Sequence, residues 1–130
     1  MRGIRGATTI ETDAKENVLS ATHELLEKIF ESNPDLKTED IASAIFTVTQ
    51  DIISVFPALA ARQMGWDHVP MMCAQEIPVA GSLPLCIRVL IHWNTNKTQD
   101  AIHNIYLHEA KKLRPDIESS SHKLERRQGS

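Results

Sequence analysis

The sequence predicts a mixed β-sheet packed with helices, in the α/β or α+β class, and three observations predict it. Strand-like and helix-like segments alternate along the chain, the pattern of helices laid on a sheet. Residues 85–94 carry a strict pleat alternation, with Ile87, Val89, Ile91 and Trp93 on one face and Cys86, Arg88, Leu90 and His92 on the other. Val18, Thr22, Leu25, Leu26, Ile29 and Phe30 recur at helical spacing, while Glu24, Glu27, Lys28 and Glu31 face water.

Taken in order, residues 2–9 read as a first strand whose two glycines allow close backbone approach. Asp13 followed by Glu16 resembles a capping box that opens the first long helix, which Asn33-Pro34-Asp35 ends. Thr38-Glu39-Asp40 suits one helical turn. Residues 42–49, rich in β-branched and apolar side chains, read as a strand. A short helix follows over 56–65, with Pro57 in its first turn and Gly65 closing it. Pro70 and Pro78 bracket a strand at 71–77, and the strand at 85–94 comes next. A second long helix is expected from Thr98 to Lys111, and a short extended segment at 113–117. Residues 118–130 are polar without an apolar period and are expected to be a disordered tail.

Composition narrows the function classes. A chain of 130 residues suits one domain, expected here over residues 1–117, and buries about two-thirds of its unfolded surface without needing disulfides. No apolar run approaches the ~20 residues of a membrane helix, and the N-terminus has no signal-peptide core. Two cysteines, Cys73 and Cys86, do not make a secreted framework, so a cytoplasmic location is expected. A net charge of −3 argues against a nucleic-acid partner.

The chemistry-bearing candidates are charges among apolar neighbours. Arg88 lies inside Leu85-Cys86-Ile87-Arg88-Val89-Leu90-Ile91, where an unpaired cation would lose its solvation, so it either pairs with an internal carboxylate or faces an anion. Arg5 poses the same question on the first strand. Glu76 is either a salt-bridge partner for Arg88 or the opposite end of a polar pocket; spacing leaves both open. Cys73 has no neighbouring base and does not read as a nucleophile. The six histidines form no i, i+4 pair and the cysteines no Cys-x-x-Cys, so no metal is expected. Dinucleotide, phosphate-loop and hydrolase motifs are missing.

Six segments occur in a telling order: Arg2-Gly3-Ile4-Arg5-Gly6-Ala7-Thr8-Thr9; Val55-Phe56-Pro57-Ala58 with Arg62; Val69-Pro70 to Cys73-x-Gln75-Glu76; Cys86-Ile87-Arg88-Val89; Ile105-Tyr106-Leu107; and Leu113-Arg114-Pro115-Asp116. Each is weak alone. Together they resemble the small trimeric class of chorismate mutase over residues 2 to about 117. The resemblance implies an α+β chain forming a trimeric pseudo-α/β barrel, with active sites at subunit interfaces. It implies an isomerase that converts chorismate to prephenate by an intramolecular Claisen rearrangement, with no cofactor.

By position, the resemblance implies that Arg5 and Tyr106 hold the enolpyruvyl carboxylate, and that Arg88 reaches that carboxylate and the ether oxygen. Glu76, helped by Cys73, would bind the ring hydroxyl. Phe56 and Ala58 would line an apolar wall, and Arg62 and Arg114 would stand near the entrance. Two departures stand out. Leu59 occupies the place of a lysine in the family pattern. Cys73 and Glu76 are three apart, so in a regular strand they face opposite ways; a bulge, or a backbone contribution from Cys73, is required. The competing reading is a non-catalytic trimeric anion-binding or regulatory protein of the same fold, which needs the arginines but not Glu76 facing them. A purely structural subunit would pair Arg5 and Arg88 with internal acids.

Overall fold

The computed structural model describes residues 1–113. Its sheet has five strands: β1 (Arg2–Thr9), β2 (Ile41–Val48), β3 (Met71–Gln75), β4 (Cys86–Trp93) and β5 (Ile105–Tyr106), in the order β3-β2-β4-β1-β5. β4 lies at the centre, antiparallel to β1 and β2, while β2–β3 and β1–β5 are parallel. The α+β expectation holds. Two helices, α1 (Lys15–Ser32) and α2 (Ala58–Gln63), complete the fold with short 3-10 turns. Among the described residues no helix is long and apolar enough to cross a membrane.

The pleat sets one face of the sheet against the helices. Ile4, Phe46, Val89 and Ile91 point to that side and join Leu25, Leu26 and Ile29 of α1 in the main core. Trp66, just past α2, packs edge-on against Phe30 with ring centroids 6.0 Å apart. Gly6 is needed for the close approach of α1 to β1. A Cβ there would stand 2.9 Å from Ile29 Cδ1 and 3.2 Å from both Leu25 Cδ1 and Val89 Cγ1.

Several expectations change. The capping box does not form: Ala14 precedes α1 without a side-chain cap. The Asp13 carboxylate instead accepts the N–H groups of Ile53 (2.9 Å) and Ser54 (3.3 Å), clipping a distant loop to the start of α1. The expected strand at 71–77 stops at Gln75, although the Glu76 N–H still reaches the Val48 carbonyl at 2.9 Å.

The expected helix over Thr98–Lys111 is absent. A 3-10 turn (Gln99–Ala101), β5 and a second turn (His108–Leu113) occupy that stretch. Long-range partners capture its polar groups before a helical ladder can. Asn33 grips both the N–H and the carbonyl of His103 at 3.0 Å, Asn104 Oδ1 accepts the Arg5 N–H at 2.8 Å, and the Leu107 N–H donates to the Ala7 carbonyl at 2.9 Å. Leu113, expected to begin an extended segment, ends the last turn; Arg114 and the polar tail lie outside the described residues.

Candidate active site

The face of the sheet turned away from α1 gathers the candidate residues. Paired residues of neighbouring strands project to the same side, so the registers place Ala74, Thr47, Arg88, Ala7 and Tyr106 in one row across five strands. Arg88 stands at the centre between two small side chains, Thr47 and Ala7, which leave room above it. Arg5 lies in the next row, beside Leu90.

Arg5, Arg88 and Tyr106 line one cavity of about 380 Å³ together with Ile45, Thr47, Leu90 and Leu113. The last turn folds back over part of this face, so that Ala7, Cys86 and Ala110 form a small buried cluster with Tyr106 and Leu113 against it. Burial there pushes the Cys86 thiol up to about 11, against the opposing pull of the nearby Arg88 cation. Cys86 therefore stays a neutral thiol at neutral pH.

Arg88 also opens onto a second cavity of about 260 Å³, where it meets Glu76. Arg88 Nε and Glu76 Oε1 are 3.0 Å apart, an ion pair, and the two side chains are 43% and 20% exposed. The N–H is not aimed at the carboxylate, however. Among the described residues, buried Arg88 Nε and buried Glu76 Oε2 both lack a hydrogen-bond partner. Native structures rarely leave such groups unfilled. Of the two alternatives left open by spacing, the salt bridge is present, and each partner also has a buried polar atom without a hydrogen bond. Arg5 is exposed, and among the described residues no acid pairs with it. Among the described residues the purely structural reading, which pairs both arginines, finds no acid for Arg5.

The remaining candidates lie elsewhere on the chain. Cys73 pairs with Phe46 in an unbroken β2–β3 register and packs on the main core, on the face opposite Arg88. No bulge turns its side chain toward Glu76, so a shared side-chain contact is not what this chain builds. Cys73 lines a different cavity of about 520 Å³ with Ile53, Val55 and Phe56. Phe56 is 71% exposed, whereas Ala58 is buried in the core and offers no side-chain wall. Leu59 is half-buried and Arg62 is exposed on α2. No residue of this group lines the Arg5–Arg88–Tyr106 cavity. Arg114 follows Leu113 directly but lies outside the described residues. The sequence reading missed Thr49 and Asp51, which border the Arg88–Glu76 cavity; a polar Thr-x-Asp directly after a strand was the available signal.

Among the described residues no group of three or more His, Cys, Asp or Glu side chains could hold a metal ion. The arrangement suits binding of a molecule that offers a carboxylate to the arginines and a polar group close beside it to Glu76.

Comparison with known proteins supplies a family for this geometry. Residues 1–117 match the family described as chorismate mutase type I. The chain is similar to the chorismate mutase AroH of Thermus thermophilus, at 53% identity over 120 residues, covering 92% of this chain and 98% of that protein. It is similar to the chorismate mutase AroH of Bacillus subtilis (strain 168), at 47% identity over 118 residues, with 90% and 92% covered. A solved chorismate mutase structure from Clostridium thermocellum aligns with a TM-score of 0.81 and 47% identity, covering 84% of this chain and 96% of that one.

Proposed function

The chain belongs to the chorismate mutase type I family and is an isomerase converting chorismate to prephenate in aromatic amino-acid biosynthesis, and we propose that Arg88, Arg5 and Glu76 on the open face carry the reaction. The observation that supports this most is the state of the three side chains. Arg5 has no acidic partner among the described residues, and Arg88 and Glu76 hold buried polar atoms unfilled beside the cavities they line.

Chorismate is a dianion, and a guanidinium fork binds carboxylates bidentately while staying charged at all relevant pH. The rearrangement breaks one C–O bond and forms one C–C bond within a single molecule, without proton transfer or nucleophile. The protein's task is to hold the substrate folded in its reactive, chair-like shape. It must also place a cation where negative charge grows on the ether oxygen. Arg5 and Tyr106 would hold the enolpyruvyl carboxylate. Arg88 would reach that carboxylate and the ether oxygen. Glu76 would accept the ring hydroxyl, with Cys73 helping through its backbone. An anion binder without catalysis has no use for a carboxylate set against its arginine.

Exposed Phe56 and Arg62 do not line this cavity within one chain, and Ala58 is buried in the core. Their family roles require a neighbouring subunit. The reading therefore extends to a homotrimeric pseudo-α/β barrel with interface sites, Arg62 and Arg114 at the entrance. It also takes residues 1–117 as one catalytic domain working in the cytoplasm without cofactor, nucleic-acid partner or membrane. The test is the loss of chorismate's ultraviolet absorbance in the presence of purified protein. Loss well above the uncatalysed rate is expected; an unchanged spectrum overturns the reading.

A further inference from the structure

We propose that Thr49 and Asp51 are positioning residues, a latch that fixes where β4 begins and so where Arg88 stands. The inference rests on the role given to Arg88 above. The Thr49 N–H donates to the Cys86 carbonyl at 3.1 Å, and Thr49 Oγ1 accepts the Cys86 N–H at 3.0 Å. The same hydroxyl donates to one oxygen of the Asp51 carboxylate, and the other oxygen accepts the Leu85 N–H at 2.9 Å.

Leu85 has φ 49°, in the left-handed region that a residue with a branched side chain adopts only where its surroundings impose it. Asp51 holds its N–H, and the Ile10 N–H holds its carbonyl at 3.0 Å. Such strain persists where several contacts over-determine it, and it gathers near functional sites. Here it lies three residues before Arg88.

The same turn governs the other polar group. The Val48 carbonyl, next to Thr49, accepts the Glu76 N–H at 2.9 Å. Asp51 and Thr49 both border the cavity in which Arg88 and Glu76 meet. One latch thus ties β4 and the end of β3 to one point, and sets the 3.0 Å separation of Arg88 Nε and Glu76 Oε1. The chemistry needs that distance more than the fold does. β4 is held along its length by β1 and β2 on either side, so loosening its entry shifts Arg88 without dissolving the sheet.

The test measures kcat, KM and Tm for Asp51→Ala and Asp51→Asn, with Arg88→Ala beside them. Asp51→Ala should lower kcat about tenfold to a hundredfold, the scale of an ~1 Å misplacement, with KM changed less than about threefold. Asp51→Asn should recover most of that loss, because its carboxamide keeps an oxygen for the Leu85 N–H and offers an N–H to Thr49 Oγ1. A kcat within about twofold of the parent in folded Asp51→Ala overturns the latch, as does an equal loss in Asp51→Asn or a change confined to KM. If Asp51→Ala does not fold, Thr49→Ala against Thr49→Ser decides by the same criteria. Normal turnover in Arg88→Ala overturns the reading of Arg88 itself, whereas a dead Arg88→Ala beside a normal Asp51→Ala overturns only the latch.

Discussion

On the face of the sheet covered by α1, Ile4, Phe46, Val89 and Ile91 are each almost completely enclosed by apolar neighbours. On the opposite face the same strands present Arg5, Thr47 and Arg88, with Tyr106 of β5 beside them, over an open cavity. Period-two alternation makes both faces from one set of strands, so a single register decides core and site together. The difference teaches where free energy is gained. The covered face stabilises the fold by burying area. The open face leaves Arg5 without an acidic partner among the described residues, and buried polar atoms of Arg88 and Glu76 without hydrogen bonds.

Substitutions should therefore separate cleanly by face. Phe46→Ala, on the covered side, should destabilise folding by about 3–5 kcal/mol, measured by chemical denaturation. A loss below about 1 kcal/mol would mean that the covered face is not the core. Arg5→Ala, on the open side, should leave the denaturation midpoint unchanged. It should lower kcat/KM by about 10- to 100-fold, as expected for one lost charge-assisted contact worth about 1.5–3 kcal/mol. If stability fell with activity intact, the contrast between the faces would collapse.

Gly6→Ala probes the seam from the covered side. Its new methyl meets Ile29 and Leu25, and should cost about 1–3 kcal/mol of stability through overpacking. The smallest effect belongs to Asp13. Hydrogen bonding from the Ser54 side chain, then from the Ile53 N–H, holds its carboxyl below the usual range. A lowered pKa means the folded chain favours the charged form. Its contribution is thus complete above the unfolded value and lost as pH falls through the lowered one. Asp13→Ala should reduce Tm at pH 7, and the difference should shrink at pH 3 and below. A difference independent of pH would remove the carboxylate from the account.

What the sequence disclosed follows the same division. The alternation in β4 revealed both faces, and the odd placement of Arg88 and Glu76 among apolar residues marked the candidate site. These are local patterns, which periodicity reads well. Residues 98–111 escaped it because Asn33, Arg5 and Ala7, all distant in the chain, take up the polar groups that a helix would use. Asp13 looked like a helix cap because its competing partners, Ile53 and Ser54, lie forty residues away. Cys73 was placed near Glu76 by resemblance, while its pleat already pointed it to the core. The grouping of Arg5, Arg88 and Tyr106 in one cavity depends on strand order, which no local pattern carries.

The central claim is that the open face does chemistry with Arg88, and the turnover of Arg88→Ala tests it most directly. With circular dichroism and Tm matching the parent, kcat should fall by at least ~10²–10³, the effect of removing one preorganised donor at a developing charge, or about 3–4 kcal/mol. A folded Arg88→Ala protein that turns chorismate over at near the parental rate would contradict the account.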